Sequence, residues 1–213
     1  MTLAPARQSN RAPLDRRLSM LQDASLVILT SVFFYLHVRQ VVVEGSLRSV
    51  GFGVEQGLLV GMFLTRRRSM ATSRRPVDWL LGAGAWISIL AHPGEAPTEW
   101  ASTMGISLQM IGLAGTCIGF IYLGRSFGVV AANRGIKVRG PYRVVRHPIY
   151  VTHLMTHTGF VLANFSPYNA ALLAGMVVIQ VLRIRAEERL LTQTGDYADY
   201  AARVRWRLVP GLY

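Results

Sequence analysis

At 213 residues the chain suits one domain, and 51 % hydrophobic against 16 % charged residues is too apolar for an ordinary soluble fold of this size. A formal net charge of +12 suggests nucleic acid, but the basic residues flank apolar segments and do not interleave with aromatics along a polar surface, so topogenic charge is the better reading and no nucleic-acid partner is expected. The single cysteine, Cys117, lies inside an apolar segment, which leaves no intramolecular disulfide framework and no thiolate metal cluster.

The first twenty residues carry Arg7, Arg11, Arg16 and Arg17 with Pro5 and Pro13, and read as a polar tail, partly disordered or lying along a lipid surface. The apolar run after them ends without a small-residue cleavage site, so it reads as a retained first span. A helix needs about 20 apolar residues to cross the hydrocarbon core. Candidate segments run at 24–43, 50–64, 77–91 and 104–123, followed by a hairpin with arms at 149–163 and 168–182, broken at Asn164-Phe165-Ser166-Pro167. The pattern predicts an all-α, polytopic integral membrane protein with five to six transmembrane helices. Its expected parts are the tail (1–20), the N-terminal spans (21–122) and a C-terminal core (123–213) containing the hairpin. Both hairpin arms are short for a full crossing, which leaves tilted spans or a re-entrant pair open.

Four segments hold 21 of the 23 basic residues: the N-terminal tail, 66–75, 125–146 and the stretch from Arg183 to the C-terminus. Lysine and arginine are retained on the cytoplasmic side, so both termini are expected there, with the acidic 92–100 loop opposite. Only Lys137 among the basic residues is a lysine, a bias that hints at a GC-rich genome and a bacterial source, in which a helical membrane protein is expected in the inner membrane.

Pro148 suits the first turn of a helix, where its missing N–H costs nothing, and this puts His147 at the cap. With Arg146 and the helix dipole, that terminus can hold a carboxylate or phosphate, and Tyr150 adds a hydroxyl on the same face. Capping with interfacial anchoring explains His147 and Tyr150 equally well. Arg183 and Glu187 stand four residues apart on one face at the end of the last apolar arm, with Glu188 adjoining. A solvated charge face is the plain alternative, with Glu188 pairing Arg185 or Arg189. His153 and His157 have metal-ligand spacing, but no zincin glutamate follows and no further ligand is near in sequence, so core or cavity histidines are the better reading and no metal is expected. Ionisable residues at membrane depth are nevertheless functional suspects, and His153 is a candidate to face a substrate cavity. His37 and Arg39 are expected to reach toward the interface. Gly112, Gly115 and Gly119 have the spacing of a close helix contact.

The ordered blocks Leu123-Gly124-Arg125-Ser126-Phe127, Gly140-Pro141-Tyr142-Arg143, Arg146-His147-Pro148-Ile149-Tyr150, Glu187-Glu188 with Leu191, Tyr197 and Tyr200, and Arg205-Trp206-Arg207-Leu208-Val209-Pro210 resemble the isoprenylcysteine carboxyl methyltransferase family and its phospholipid methyltransferase relatives. These are integral membrane enzymes that use S-adenosyl-L-methionine. The resemblance covers roughly 123–213. It implies a cofactor pocket lined by Tyr142, His147, Pro148, Ile149 and Tyr150, more loosely by Ile136 and Lys137, with Glu187 holding the cofactor and Arg183 facing the substrate. Thr152 stands where family members often have glycine, which alters local packing.

These features lead to an expected methyl transfer to a lipophilic small-molecule or lipid-modified acceptor arriving from the bilayer, like an isoprenylcysteine carboxyl O-methyltransferase. A carboxylate acceptor needs no general base, whereas an amine, thiol or phenol does, and His153 or Glu188 are then candidates. N-methylation of an ethanolamine phospholipid, a nicotinamide-dependent membrane lipid reductase and a non-catalytic membrane scaffold are the rival readings.

Overall fold

The computed structural model describes residues 12–212 apart from 46, 68–70, 74, 93 and 194. The expected polar tail therefore lies outside the described residues as far as residue 11, and the rest of it belongs to the first helix. Among the described residues the chain forms seven α-helices and one two-residue ladder: α1 (Ala12–Glu44), α2 (Leu47–Thr65), β1 (Ala71–Thr72), α3 (Pro76–Gly84), α4 (Glu99–Leu123), β2 (Ala132–Asn133), α5 (Pro148–Ala163), α6 (Pro167–Leu191) and α7 (Gly195–Arg203).

The helical membrane class is as expected. Among the described residues, three helical stretches are long and apolar enough to cross a bilayer: Asp23–Glu44, Glu99–Ser126 and Pro167–Leu191. At about 1.5 Å per residue, the 25 residues of α6 extend about 38 Å, beyond a hydrocarbon core of about 30 Å, whereas the 16 residues of α5 extend about 24 Å. Outward-facing Ile28, Val32, Ile111, Ile118, Ile121 and Val178 are exposed, as lipid-facing residues are.

Two segments differ from the sequence reading. The expected span at 77–91 is a nine-residue helix followed by a separate 3-10 turn at Ile87–Leu90. Gly82 and Gly84 weaken the helix where it breaks, and their bare faces let Val130 and Ile179 pack close. The last arm is longer than its apolar run. It continues as helix past residue 182 to Leu191, because the charged residues there find partners across the bundle.

The hairpin turn forms as expected, with Ser166 Oγ accepting from Asn169 N at 3.1 Å and Pro167 opening α6. The arms do not pack chiefly on each other, however. α5 lies against α4, where Gly105 and Gly159 meet back to back, Gly112 rests on Thr156 and the Thr152 carbonyl, and Gly115 and Gly119 accept Thr152 and Ile149. The close-contact spacing read from Gly112, Gly115 and Gly119 is this seam. It also explains Thr152, whose hydroxyl pairs with that of Thr116 at 2.8 Å over ground cleared by glycines on the facing helix.

The basic segments gather at one end of the bundle. β1 pairs antiparallel with β2, Arg67 N donates to Arg125 O at 2.8 Å, Arg66 forms an ion pair with Asp23, and Arg189 holds Asp78 at 2.9 Å. At the opposite end, Asn169 bridges His92 and the Asn164 carbonyl without any charge.

Candidate active site in a membrane-embedded cavity

With α5 drawn onto α4, the space on its other side stays open as a cavity of about 660 Å³. His147, Tyr150, His153, His157 and Phe160 face it from successive turns of α5, so it follows that helix for about 20 Å. The opposite walls come from Arg183, Glu187 and Leu191 of α6, from Phe52, Glu55, Leu59 and Phe63 of α2, and from Phe33 and His37 of α1.

At the basic end, Pro148 starts α5 with His147 as its cap residue, and the cap side chain makes no hydrogen bond to the helix itself. The ring instead turns toward α6. His147 Nδ1 stands 3.8 Å from Glu187 and Nε2 3.3 Å from Glu188, while the His147 and Tyr150 rings meet edge to face at 5.6 Å. The Tyr150 hydroxyl donates to Glu187, and the Arg183 guanidinium lies over the Tyr150 ring at 5.1 Å. Arg183 is buried and held by the Gln180 amide oxygen at 3.2 Å and the Val129 carbonyl at 3.0 Å. Of its five guanidinium donors, these bonds use two nitrogens, so the group is fixed in place while still facing the cavity.

Ile136, Lys137, Tyr142, His147, Ile149, Tyr150, His153, Arg183 and Glu187 all line the cavity. Pro148 is buried but outside the lining, where it sets the start of α5. Glu188 also stands outside, and its expected pairing with Arg185 or Arg189 is not what forms. Arg207 Nε donates to it at 2.7 Å, Arg146 lies at 3.1 Å and the Tyr197 hydroxyl at 3.0 Å, whereas Arg189 goes to Asp78. A carboxylate so fully engaged ties the C-terminal segment to the start of α5 and is not placed to take a substrate proton. It also occupies Arg146, which the sequence reading had assigned to an anion site. His37 differs as well: it faces the cavity and stacks on Phe52 at 5.5 Å, one helical turn from Phe33, while Arg39 pairs with exposed Glu44.

The C-terminal segment is part of the site's frame. The backbone N–H groups of Arg146 and His147 donate to the carbonyls of Trp206 and Arg207 at 2.9 and 3.0 Å, and Leu208 packs on Tyr150 and Ile184. The Tyr200 hydroxyl donates to the Tyr142 carbonyl at 2.8 Å, and Gly140 adopts φ 59° with Tyr122 packed where a side chain would stand. Burial pushes the Tyr142 phenol well above its ordinary range, with Glu187 and Tyr200 adding to the effect; burial likewise raises Tyr197 beside Glu188, and Tyr200 to about 12. All three are therefore neutral hydrogen-bond donors at physiological pH.

One cavity residue had no advance signal beyond its charge. Glu55, a lone carboxylate in the 50–64 apolar run, is buried and places Oε1 3.5 Å from His153 Nε2. An acid at membrane depth was the only clue available in the sequence.

Fold and cavity together define a helical membrane protein with a cavity that is charged at one end and apolar along its length. A family profile described as phospholipid methyltransferase matches residues 100–196, which includes the α4–α5 seam and the convergent α5 and α6 ends. Protein-S-isoprenylcysteine O-methyltransferase A of Arabidopsis thaliana is 25 % identical over 192 residues, covering 86 % of this chain and 91 % of the plant protein. The cobalt-zinc-cadmium resistance protein CzcN of Cupriavidus metallidurans is 27 % identical over 143 residues, 66 % of this chain and 63 % of that protein. Over residues 100–196 the chain is similar to phospholipid methyltransferases, and over most of its length to an isoprenylcysteine O-methyltransferase, and these likenesses support membrane methyl transfer.

Proposed function

We propose that this protein transfers a methyl group from S-adenosyl-L-methionine to a lipophilic acceptor that enters the cavity from the bilayer. The observation that carries this reading is the Glu187 carboxylate, fixed by Tyr150 and faced by His147 where α5 and α6 meet at the cavity wall. A carboxylate there suits a cationic donor. When bound, S-adenosyl-L-methionine supplies an electrophilic methyl group on its sulfonium.

The residues present fit such a molecule. Glu187 is matched to an ammonium, Lys137 and Arg134 line the same cavity and are matched to a carboxylate, and Ile136, Tyr142, Ile149 and Tyr150 offer apolar and aromatic surface to an adenosyl group. The cavity volume of about 660 Å³ lies within the roughly 300–1,000 Å³ usual for small-molecule sites, with room left for part of an acceptor. Methyl transfer is an in-line displacement, so these side chains accelerate it chiefly by alignment and by excluding water. Arg183, held rigid beside Tyr150, faces the acceptor in this reading.

The acceptor is lipid-like. The plant relative's isoprenylcysteine and the profile's phospholipid are both amphiphiles, and Phe33, Phe52, Phe63, Trp86 and Phe127 give the cavity a long apolar floor. The shared end of the basic segments supports cytoplasmic termini under the positive-inside rule, and the arginine-rich composition supports a bacterial inner membrane. Calorimetry on purified protein tests the donor: S-adenosyl-L-methionine binds and NADPH does not, and the reverse result overturns the reading. Incubation with methyl-labelled donor and membrane extract, followed by identification of the labelled lipid, assigns the acceptor.

A further inference from the structure

Two turns of α5 beyond His147, the same cavity holds a second acid–imidazole pair that the donor reading leaves unused. His153 and Glu55 come from α5 and α2, 98 positions apart in sequence, and face each other with Nε2 and Oε1 3.5 Å apart. That separation is within ion-pair range but too long for a good hydrogen bond. His153 Nε2 is in fact buried without a hydrogen-bond partner, although it lies on the wall of a cavity. Leaving a buried polar nitrogen unpaired is destabilising, so Nε2 is open to a ligand atom.

The surroundings fix what kind of atom that is. Phe120 meets the His153 ring edge-on at 6.3 Å, and His157, one turn further, directs its Nδ1 to the His153 carbonyl at 2.7 Å and so does not compete for Nε2. The Glu55 side chain is only 12 % exposed and makes no closer ion pair among the described residues. A second anion drawn in beside Glu55 would be repelled, whereas a group with a proton to give finds the unpaired Nε2 with a carboxylate beside it that can stabilise the ring once it is protonated.

We infer that His153, positioned by Glu55, accepts the proton of the methyl acceptor, and that the acceptor is therefore a protic nucleophile (amine, hydroxyl or thiol) on a lipophilic body and not a carboxylate. This rests on the methyl-transfer reading above and narrows it. In the reacting complex the acceptor heteroatom uses its lone pair to bond the methyl carbon while the carbon–sulfur bond breaks and its electron pair stays on sulfur. The proton on the heteroatom passes to His153 Nε2, and Glu55 balances the imidazolium that results. Charge is conserved: the sulfonium's positive charge is exchanged for the imidazolium's. Acid–base assistance of this kind is worth about 10²–10⁴-fold in rate.

The test uses the full-length protein in membranes with methyl-labelled S-adenosyl-L-methionine and lipid extract. Mild alkali releases methanol from a methyl ester but leaves N-, S- and ether-methyl groups intact. Alkali-stable label is expected, and label lost as methanol overturns the inference. His153→Ala is expected to lower kcat by about 10²-fold or more at saturating donor, with donor affinity by calorimetry within twofold of the parent. Glu55→Gln should lower kcat at least tenfold with little change in KM, and Glu55→Asp should restore part of it. A His153→Ala rate within threefold of the parent overturns the proposal. If both His153→Ala and the size-matched His153→Asn lose donor binding, His153 is structural and the proposal also fails. Failure of the parent protein to bind donor, or to label any lipid while binding it, counts instead against methyl transfer itself.

Discussion

The two ends of the cavity use the same residue types in opposite states. At the basic end, Glu187 and Glu188 are met by Tyr150, His147, Arg146, Tyr197 and Arg207, and Arg183 is fixed by a carbonyl and an amide. In the deeper half, Glu55 and His153 stand apart, with a buried ring nitrogen unpaired. Carboxylates engaged in advance need little reorganisation when ligand arrives, which suits holding one invariant molecule such as a methyl donor. An unpaired group is completed only by the ligand, which suits selecting an acceptor by its chemistry. The comparison teaches that burial of charge in this bundle serves two ends, and how fully each carboxylate is engaged tells them apart.

The largest way to break the contrast is to empty the satisfied end. Glu188→Ala strips a shared partner from Arg146, Arg207, Tyr197 and His147, leaving partly buried positive charge unmatched. The expected loss is about 3–5 kcal/mol, read as a fall in melting temperature in detergent together with loss of donor binding. Glu187→Gln, whose amide oxygen still accepts from Tyr150, should separate binding from folding. Removing the charge is expected to weaken donor affinity by about 10²-fold, in line with about 1.5–3 kcal/mol for a hydrogen bond to a charged group, while the melting temperature changes little; calorimetry and a thermal scan check both.

A smaller effect is expected behind α5, away from either end. Thr152→Gly removes the Thr116 hydroxyl pair and leaves the cleared space over Gly112 and Gly115 unfilled. A loss of about 1–2 kcal/mol is expected, with donor affinity unchanged in the same calorimetric assay. The smallest effect sits at the frame of the satisfied end. Tyr200→Phe loses one hydrogen bond to the Tyr142 carbonyl, about 1 kcal/mol. Its titration sharpens the point. Tyr200 is raised by burial from 10.0 to about 12 in the folded chain, so its neutral form contributes stability that is complete below pH 10 and declines as pH rises from 10 toward 12. Thermal scans across that window should show a shallower decline for Tyr200→Phe than for the parent.

Much of this was legible in the chain because membrane helices announce themselves locally. The spans at 24–43 and 104–123 are runs of apolar residues, and His147-Pro148 marks a helix start by the absence of an N–H. Arg183 and Glu187 were placed on one face by their spacing, and that face does meet α5. Where the sequence reading failed, the missing information was a distant partner. The last apolar arm is expected to stop near residue 182, where apolarity ends, and the helix runs on to Leu191 because its charges are paired. His37 was sent to the interface because nothing in its neighbours revealed Phe52 across the gap. For Glu188, the plain alternative of pairing with Arg185 or Arg189 gives way to Arg146 and Arg207.

By itself, then, the sequence determined an all-α membrane protein and the clustering of its basic residues, because hydropathy, helical period and proline are properties of short stretches. Only the tertiary structure decided that α5 turns its glycine-matched face to α4 and its histidines to a cavity, that Glu188 supports the site without lining it, and that Glu55 stands opposite His153. These depend on which surfaces pack most closely across the bundle, and close packing is a relation between residues that no single stretch contains.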